Sequence, residues 1–517
     1  MNPKHRKKRW APIYSVILAL LSTAVVAAYL ILPGMWQWNR AAMRAETHGT
    51  SRPAVQVDTV PGPVDPALVA KLASLSTSPQ APPLILTYHD IGHTKDRYTV
   101  TPENFAVQMR MIHDAGWTTL TANDLSRWLA GEPMPPHSVF ITFDDGTRGV
   151  WQYADPVLKR YGLHAMTFII TGFVGTHAPY YMTWDQIHEL QNSGRWDVEA
   201  HTHLGHVQVP SDANGHEGAF LTTAQWLPAQ NRVETDEEYY ARVQGDLTEC
   251  KHQFVLHNLP EPSFLAYPFS AHQDAENPAR AAMLSSIVTR LYQTALLDQA
   301  DVVAVTTADN IAGGNINRMD VTADVTTEKW VDKLVKASPL DPKDAHPLAD
   351  RDGWTDSNQK PTQMVSLSEN HVEIDSAPGE SNSVQYARFR TPMWNTYTVS
   401  ADLGFDPDID GTTTGLTVLT GSAHHEVDIS MDRGYFSIFV GNTGGAVQSG
   451  ELPDQASYHL DVVVTPASVQ VSIDGVALDP IPLDAAHPWE ASGGIGLLSH
   501  RDSDAAPASV ISNLVIH

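Results

Sequence analysis

The sequence predicts an α/β domain followed by an all-β sandwich, with a single membrane-spanning helix ahead of both. Three observations carry that prediction. Ala11 to Leu32 is a run of 22 residues without a charge, directly after Lys4, Arg6, Lys7, Lys8 and Arg9. Between residues 84 and 336 short apolar strands alternate with amphipathic helices, the pattern of a βα barrel or a doubly wound sheet. From residue 361 onward, short alternating strands and glycine-bearing turns take over. The expected divisions are a basic cytoplasmic tail over 1–10, an anchor over 11–33 and a linker over 34–83. The α/β domain comes next over 84–336, then a second linker over 337–360 and the sandwich over 361–517.

At 1.5 Å per residue the uncharged run spans a hydrocarbon core of about 30 Å. Basic residues on its amino side keep that end in the cytoplasm and send the rest of the chain outside. A cleaved signal peptide has an apolar region of only about 7 to 15 residues. The longer run, with Trp36 and Trp38 placed like interfacial anchors, favours an uncleaved helix, while the Ala-rich stretch Ala24 to Ala28 leaves cleavage open. Cys250 is the only cysteine, so no internal disulfide forms; it lies in a helical stretch as a buried, apolar-like residue. A formal charge of −26 over 517 residues argues against a nucleic-acid partner, because phosphate binding needs clustered Lys and Arg.

Residues 39–83 are rich in Pro, Ala, Ser and Thr, a spacer composition with a short helical pattern at Ala67 to Leu75. Leu84 to Asp90 opens the first strand. Thr101-Pro102-Glu103 supplies an N-cap with proline at the first helical position, and Gly116 closes that helix. Val139-Phe140-Ile141-Thr142-Phe143 has no polar alternation and is therefore buried on both faces. It runs straight into Asp144-Asp145-Gly146. Tyr153 to Tyr161 reads as helix, Ala165 to Thr171 as another buried strand, and Thr183-Trp184-Asp185-Gln186 as a capping box. Asp197 to Ala200 is the next strand, and it delivers His201.

Acids at the carboxyl end of a buried strand stand where open sheets and barrels place their chemistry. Side chains alternate along an extended chain, so Asp144 and Asp145 point differently and can hold different roles. A solvated Asp-Gly turn is the alternative. His201-Thr202-His203-Leu204-Gly205-His206 tips the balance, since three histidines in six residues after a strand are hard to explain as packing. If the loop turns back, His201, His206 and Asp145 can converge on one metal and leave a position for water, the arrangement of a catalytic zinc site. Bound Zn²⁺ lowers a water's pKa to about 7.

Thr142-Phe143-Asp144-Asp145-Gly146 followed by His-Thr-x-x-x-His resembles the polysaccharide deacetylases, carbohydrate esterase family four. Tyr88-His89-Asp90 and Ala266-Tyr267-Pro268-Phe269 extend the resemblance over about Leu84 to Leu334, and the histidine spacing is closest to the poly-N-acetylglucosamine deacetylase branch. The resemblance implies a distorted (β/α) barrel with Asp144 as general base and Asp145, His201 and His206 as ligands of a divalent metal, Zn²⁺ by default. It further implies a main-chain oxyanion donor at Phe269. An arginine that supports the base in the family's better-known branch is replaced by Ala266, which makes Arg318 the candidate for that task. No late histidine offers itself as proton donor, so Asp320 or His89 takes a supporting role or the metal acts alone. His203 and His113 are read as structural. His89, Tyr267 and Trp226 are candidate sugar contacts.

In the carboxy-terminal part, Tyr397, Val399, Ala401 and Leu403 alternate with polar residues, and Asp474-Gly475 is a hairpin signal. Gln470 to Gly475 and Gly493 to Leu497 are loosely similar to concanavalin-A-like jelly-roll modules, some of which bind glycans. Asp406 to Gly411 imitates the opening of a calcium loop, although Thr417 stands where the loop's closing glutamate belongs. The expectation is a membrane-anchored enzyme, its catalytic and carboxy-terminal parts extracellular, that removes N-acetyl groups from an acetylated amino-sugar polysaccharide. Removal of O-acetyl groups and non-catalytic glycan binding are the alternatives.

Overall fold

A computed structural model describes residues 64–75, 82–135, 137–273, 277–299, 306, 310–311, 313–356, 365–368, 370–422, 424–441, 443–484 and 491–517. The expected basic tail and membrane anchor lie outside these residues. Among the described residues no helix is long and apolar enough to cross a membrane.

Eight parallel strands build the first domain: β1 (Leu84–Tyr88), β2 (Thr118–Thr119), β3 (Ser138–Phe143), β4 (Ala165–Ile169), β5 (Trp196–Ala200), β6 (Phe264–Ala266), β7 (Thr294–Gln299) and β8 (Asn315–Asp320). They pair in the order β1-β8-β7-β6-β5-β4-β3, and β3 pairs back onto β1, closing a seven-stranded barrel with β2 attached to the start of β3. Of the two topologies open to the sequence, the barrel is the one formed. Its thinnest seam is β5–β6, where one residue pair, Ala200 with Leu265, is in register. There the Glu199 carboxylate accepts from the Ser263 and Phe264 amides at 2.8 and 2.9 Å, standing in for strand bonds.

The strands alternate between two cores. Leu84, Leu86 and Tyr88 of β1 and Val139, Ile141 and Phe143 of β3 face outward, under the helices. Ile85, Phe140, Met166, Phe168, Phe264, Leu296 and Ile316 face inward and fill the barrel. A period of two carries the same inward parity further up each strand. Ile85 leads to Thr87 and His89, Phe140 to Thr142 and Asp144, Leu296 to Asp298, and Ile316 to Arg318 and Asp320. An apolar floor thus carries a polar layer at the carboxyl ends.

The covering helices are α1 (Pro66–Ala73), α2 (Pro102–Asp114), α3 (Ala122–Leu129), α4 (Asp155–Tyr161), α5 (Trp184–Asn192), α6 (Asp236–Leu256), α7 (Pro278–Leu291) and α8 (Thr327–Ala337). Thr101, Thr121, Thr183, Thr235 and Thr326 each cap a helix through a side-chain oxygen. Two stretches differ from expectation. The helix expected within the spacer, α1, is part of the domain: Leu72 is buried, its carbonyl accepts from Trp117 Nε1, and Lys71 pairs with Asp332 at 2.8 Å. The helix expected from Tyr153 opens instead as a π-helical turn, Val150–Ala154, before α4. Gly149 precedes that turn because a Cβ there would stand 2.1 Å from the Ile91 carbonyl oxygen and 2.2 Å from Asp90 Oδ1.

The second domain is a sandwich of two antiparallel sheets, and it begins inside the stretch expected as a linker. Leu340, Ala345 and Trp354 already lie in its core. Its strands are β9 (Trp354–Asp356), β10 (Val365–Leu367), β11 (His371–Ile374), β12 (Ser381–Tyr386), β13 (Tyr397–Gly404), β14 (Thr412–Thr420), β15 (Val427–Asp432), β16 (Tyr435–Val440), β17 (Gln448–Glu451), β18 (Ser457–Val464), β19 (Ser468–Ile473), β20 (Val476–Ala477), β21 (Ile481–Pro482), β22 (Gly494–Arg501) and β23 (Ser509–Ile516). One sheet runs β9-β12-β22-β14-β15-β16-β17. The other runs β10-β11-β23-β13-β18-β19-β20, with β21 also on β19. Asp474 and Gly475 both take positive φ, 50° and 79°, as the two-residue hairpin between β19 and β20 requires. The calcium-like loop is organised by an arginine: Arg433 pairs with Asp410 and Asp454, both at 3.0 Å, and donates to the Asp406 and Pro407 carbonyls.

Candidate active site

Asp144 inherits the inward parity of Phe140 and Thr142, and so does Arg318 from Ile316. They meet inside the barrel as a planar fork-to-fork pair, Nη1 to Oδ1 at 2.7 Å and Nη2 to Oδ2 at 2.6 Å. Arg318 is 0 % exposed. It also donates to Thr142 Oγ1 at 3.2 Å and lies over the Phe168 ring. Burial works to raise the Asp144 pKa, but the guanidinium, helped by His201, holds it below the usual carboxylate value. Arg318 therefore orients this carboxylate from β8, two strands round the barrel from the Ala266 position.

Asp145 leaves the strand with φ 70°, in the left-handed region, as does Thr202 at 73° after β5. Backbone strain of this kind costs about 1–3 kcal/mol and persists only where the surroundings enforce it. Here it turns Asp145 Oδ1 to lie 3.4 Å from His201 Nε2 and 3.3 Å from His206 Nε2. His201 Nδ1 bonds the Ala266 carbonyl at 2.8 Å. A carbonyl only accepts, so Nδ1 carries the proton and Nε2 presents its lone pair. His206 is brought back by the loop between, whose His203 and Leu204 amides donate to Asp246 of α6 at 3.0 and 2.7 Å. His203 itself bonds Thr171 Oγ1, a structural role.

Asp145 Oδ1 is buried and takes no hydrogen bond from the protein. Burial opposes ionisation of Asp145, yet His201, His89 and His206 hold its carboxyl well below the usual range. His201 is raised, because Asp144 and Asp145 overcome its burial, whereas burial and the neighbouring His201 lower His206. An orphaned carboxylate oxygen facing two imidazole nitrogens at 3.3–3.4 Å matches the ligand separation around a tetrahedral ion with bonds of about 2.0–2.1 Å. The donor set fits a divalent cation.

A second cluster shares the polar layer. His89 Nε2 is 3.7 Å from Asp298 Oδ2, and its Nδ1 is 3.7 Å from Asp320 Oδ1. His89 Nδ1, Asp298 Oδ1 and both Asp320 oxygens are buried without hydrogen-bond partners. Burial outweighs Arg318 and pushes Asp298 up to about 7; it raises Asp320 too.

At the mouth, Phe269 takes φ 58° and Ser270 φ 54°. The Ser270 and Ala271 amides are tied to the Tyr267 and Pro268 carbonyls, while the Phe269 N–H takes no part in either bond. The exposed Phe269 ring lies 4.5 Å from that of His206. Tyr98, also exposed, lies 4.7 Å from His89. Exposed Tyr180 is on a loop zipped to the strand end through Arg148 N to Tyr180 O and Met182 N to Gly146 O. One expected sugar contact, Tyr267, is placed elsewhere. Tyr267 is 4 % exposed and belongs to the outer core, because it continues the outward parity of Leu265. Trp226 is half-buried on a short hairpin with Arg232–Val233. Asp298, Asp246, Tyr98 and Tyr180 escaped the sequence reading. Counting in twos from Leu296 signals Asp298; nothing local signals Asp246 or the two tyrosines.

Residues 131–283 match the family model for polysaccharide deacetylases. A poly-beta-1,6-N-acetyl-D-glucosamine N-deacetylase of Staphylococcus epidermidis is 31% identical over 147 residues, which is 28% of this chain and 48% of that protein. One of the same name from Staphylococcus aureus is 33% identical over 114 residues, 21% of this chain and 39% of that protein. The chain thus spans half or less of the curated relatives it matches. Among solved structures, a de-N-acetylase from Aggregatibacter actinomycetemcomitans aligns at 16% identity and a TM-score of 0.42, covering 48% of this chain and 99% of that one. Within its barrel domain, the chain is thus similar to the polysaccharide deacetylases over residues 131–283.

Proposed function

We propose that the chain is a metal-dependent hydrolase that removes N-acetyl groups from an N-acetylated amino-sugar polysaccharide, releasing acetate. The observation that carries this reading is the join of two devices in one polar layer: an arginine-held carboxylate, Asp144, beside the converging Asp145, His201 and His206. A divalent ion held by those three, zinc by donor type although cobalt, nickel or iron also suit such ligands, supplies Lewis-acid polarisation of the amide carbonyl and of a water. Asp144, kept ionised by Arg318, takes the proton of the attacking water. The Phe269 N–H donates to the carbonyl oxygen as negative charge develops there. When the C–N bond breaks, the amine nitrogen needs a proton. His89, flanked by Asp298 and Asp320, is the donor that the inner parity of β1, β7 and β8 provides. Tyr98, Tyr180 and Phe269 offer ring faces to sugars at the mouth.

The uncharged run Ala11–Leu32 behind five basic residues supports attachment to a cell membrane by one helix, with the barrel and sandwich outside. The test is acetate release from defined N-acetylated glucosamine oligomers, with metal content measured on the same samples. Release that is abolished by a chelator and restored by Zn²⁺ is the expected result. A chain that releases no acetate with any of the four metals, or that releases it equally after metal removal, overturns the proposal.

A further inference from the structure

The outer face of the sandwich's seven-stranded sheet is built unlike the rest of the molecule. Residues 361–517 contain twenty acidic residues, four arginines and no lysine, a formal −16 of the chain's −26. Part of that charge is arranged in rows on one sheet face. Cross-strand register places Thr413, Asp432, Tyr435 and Glu451 side by side on β14, β15, β16 and β17. Two residues along, Ser430, Ser437 and Ser449 form the next row on that face. Two further along, Thr417, Asp428 and Phe439 form a third. At 3.3–3.4 Å per residue the outer rows are about 13 Å apart, with the small serines as a floor between them. Leu498 closes the β14 end of that floor over Gly415.

Both rings are exposed, Tyr435 by 41 % and Phe439 by 37 %, while Phe436 and Ile438 between them point into the core. Each ring has a carboxylate directly across the strand, Asp432 for Tyr435 and Asp428 for Phe439. Each carboxylate is held by a threonine hydroxyl of β14, Thr413 or Thr417. Arg433, in the turn between β15 and β16, is engaged by Asp410 and Asp454. No cation stands in the three rows.

We infer that this face binds an amino-sugar polymer whose amines are free, the product of the deacetylation proposed above. Each acetate removed uncovers a primary amine that is protonated near neutral pH, so the product is a polycation and the substrate is not. A hexosamine unit is apolar on its ring face and cationic at its amine. An aromatic ring flanked by a carboxylate meets both requirements, since the ring takes the C–H face and, with the carboxylate, attracts the ammonium. The choice of occupant rests on the proposed reaction, and charge complementarity selects the deacetylated form over the acetylated one. The sandwich would hold the chain on polymer already processed, keeping the barrel near acetylated units further along.

The test uses the full chain carrying Asp144→Asn, so that no arm alters its ligand. Binding is measured to fully de-N-acetylated glucosamine oligomers, to their N-acetylated counterparts and to polylysine of similar charge. The expected result is binding of the free-amine oligomers, weakening with salt and weakened about tenfold or more by Tyr435→Ser with Phe439→Ser. Asp428→Asn with Asp432→Asn should lower it likewise. Unchanged thermal unfolding of both variants shows that the fold is kept. Equal or tighter binding of the acetylated oligomers overturns the inference. So does wild-type affinity in the aromatic variant, and so does polylysine bound as tightly with no dependence on the two rings. Acetate release is assayed separately on the Asp144 protein: its failure would remove the proposed reaction while the binding result stands.

Discussion

The Asp145–His201–His206 and His89–Asp298–Asp320 clusters each bring carboxylate oxygens and imidazole nitrogens within 4.8 Å of one another, yet they are built to different ends. In the first, one oxygen faces two nitrogens on different rings, and the far nitrogen of His201 is tied to a main-chain carbonyl. The three ligand atoms converge on a point. In the second, one ring stands between two carboxylates and turns a different nitrogen to each, at the longer distance of 3.7 Å. That arrangement suits the proton donation proposed for His89. Asp145 is correspondingly held ionised, whereas Asp298 is pushed up to about 7, a value at which it exchanges protons near neutral pH. Residue type alone does not distinguish the two clusters; the direction in which the nitrogens point does.

The sharpest way to break this comparison is to remove a ligand. Asp145→Ala, His201→Ala or His206→Ala should each lose the bound metal and bring acetate release to background, as read by metal analysis and product assay. His89→Gln should keep the metal, and a variant of His89 that loses it would merge the two clusters into one. Next in size is Asp144→Asn, expected to lower turnover by about 10²–10⁴ with metal content intact.

Arg318→Met comes third. Removing one partner of a buried pair leaves an uncompensated charge and costs about 3–5 kcal/mol, read as a fall in unfolding midpoint. Arg318 depresses the folded Asp144 pKa, so the stability of the pair is present above the unfolded carboxylate value and is lost as pH falls through the folded one. Without the guanidinium, Asp144 protonates at higher pH, and the acid limb of the activity profile should move upward.

A smaller effect, about 10- to 100-fold in turnover, is expected for His89→Gln and for Asp298→Asn. The asparagine variant should also lose an ionisation near pH 7 from the rate profile. Least of all, Glu199→Gln should leave activity alone and alter the pH dependence of stability. Burial pushes Glu199 up to about 8, so the folded chain holds a proton that the unfolded chain releases near the ordinary glutamate value. Stability is then lost as pH rises between those two values, and the glutamine variant should be flatter across that window in thermal scans.

Much of this was legible in the order of the amino acids alone. The apolar run ending in Asp144-Asp145 and the His201–His206 spacing name four chemical side chains, because strand termini announce themselves by composition. Arg318 was reachable only by elimination, through Ala266 standing where an arginine was expected. Asp298 and the pairing of His89 with two acids were not read, because they depend on which strands are neighbours around a closed barrel. β1 and β8 lie more than 200 residues apart in sequence and side by side in space. The spacer and linker boundaries were misread for a related reason. Composition separates Pro-rich from apolar stretches, but α1 and the Leu340–Trp354 segment join their cores through a few large side chains, Leu72 and Trp354 chief among them.

The bond from His201 to the Ala266 carbonyl crosses the β5–β6 seam, where a single residue pair is in register. A main-chain oxygen cannot be substituted away, so no exchange at position 266 deprives the imidazole of its acceptor. The dependence runs through geometry instead: whatever parts those two strands frees the ring to rotate. Retention of the cation on gentle warming would then act as a gauge of how tightly the barrel is shut, and its release should precede the unfolding of the body of the domain.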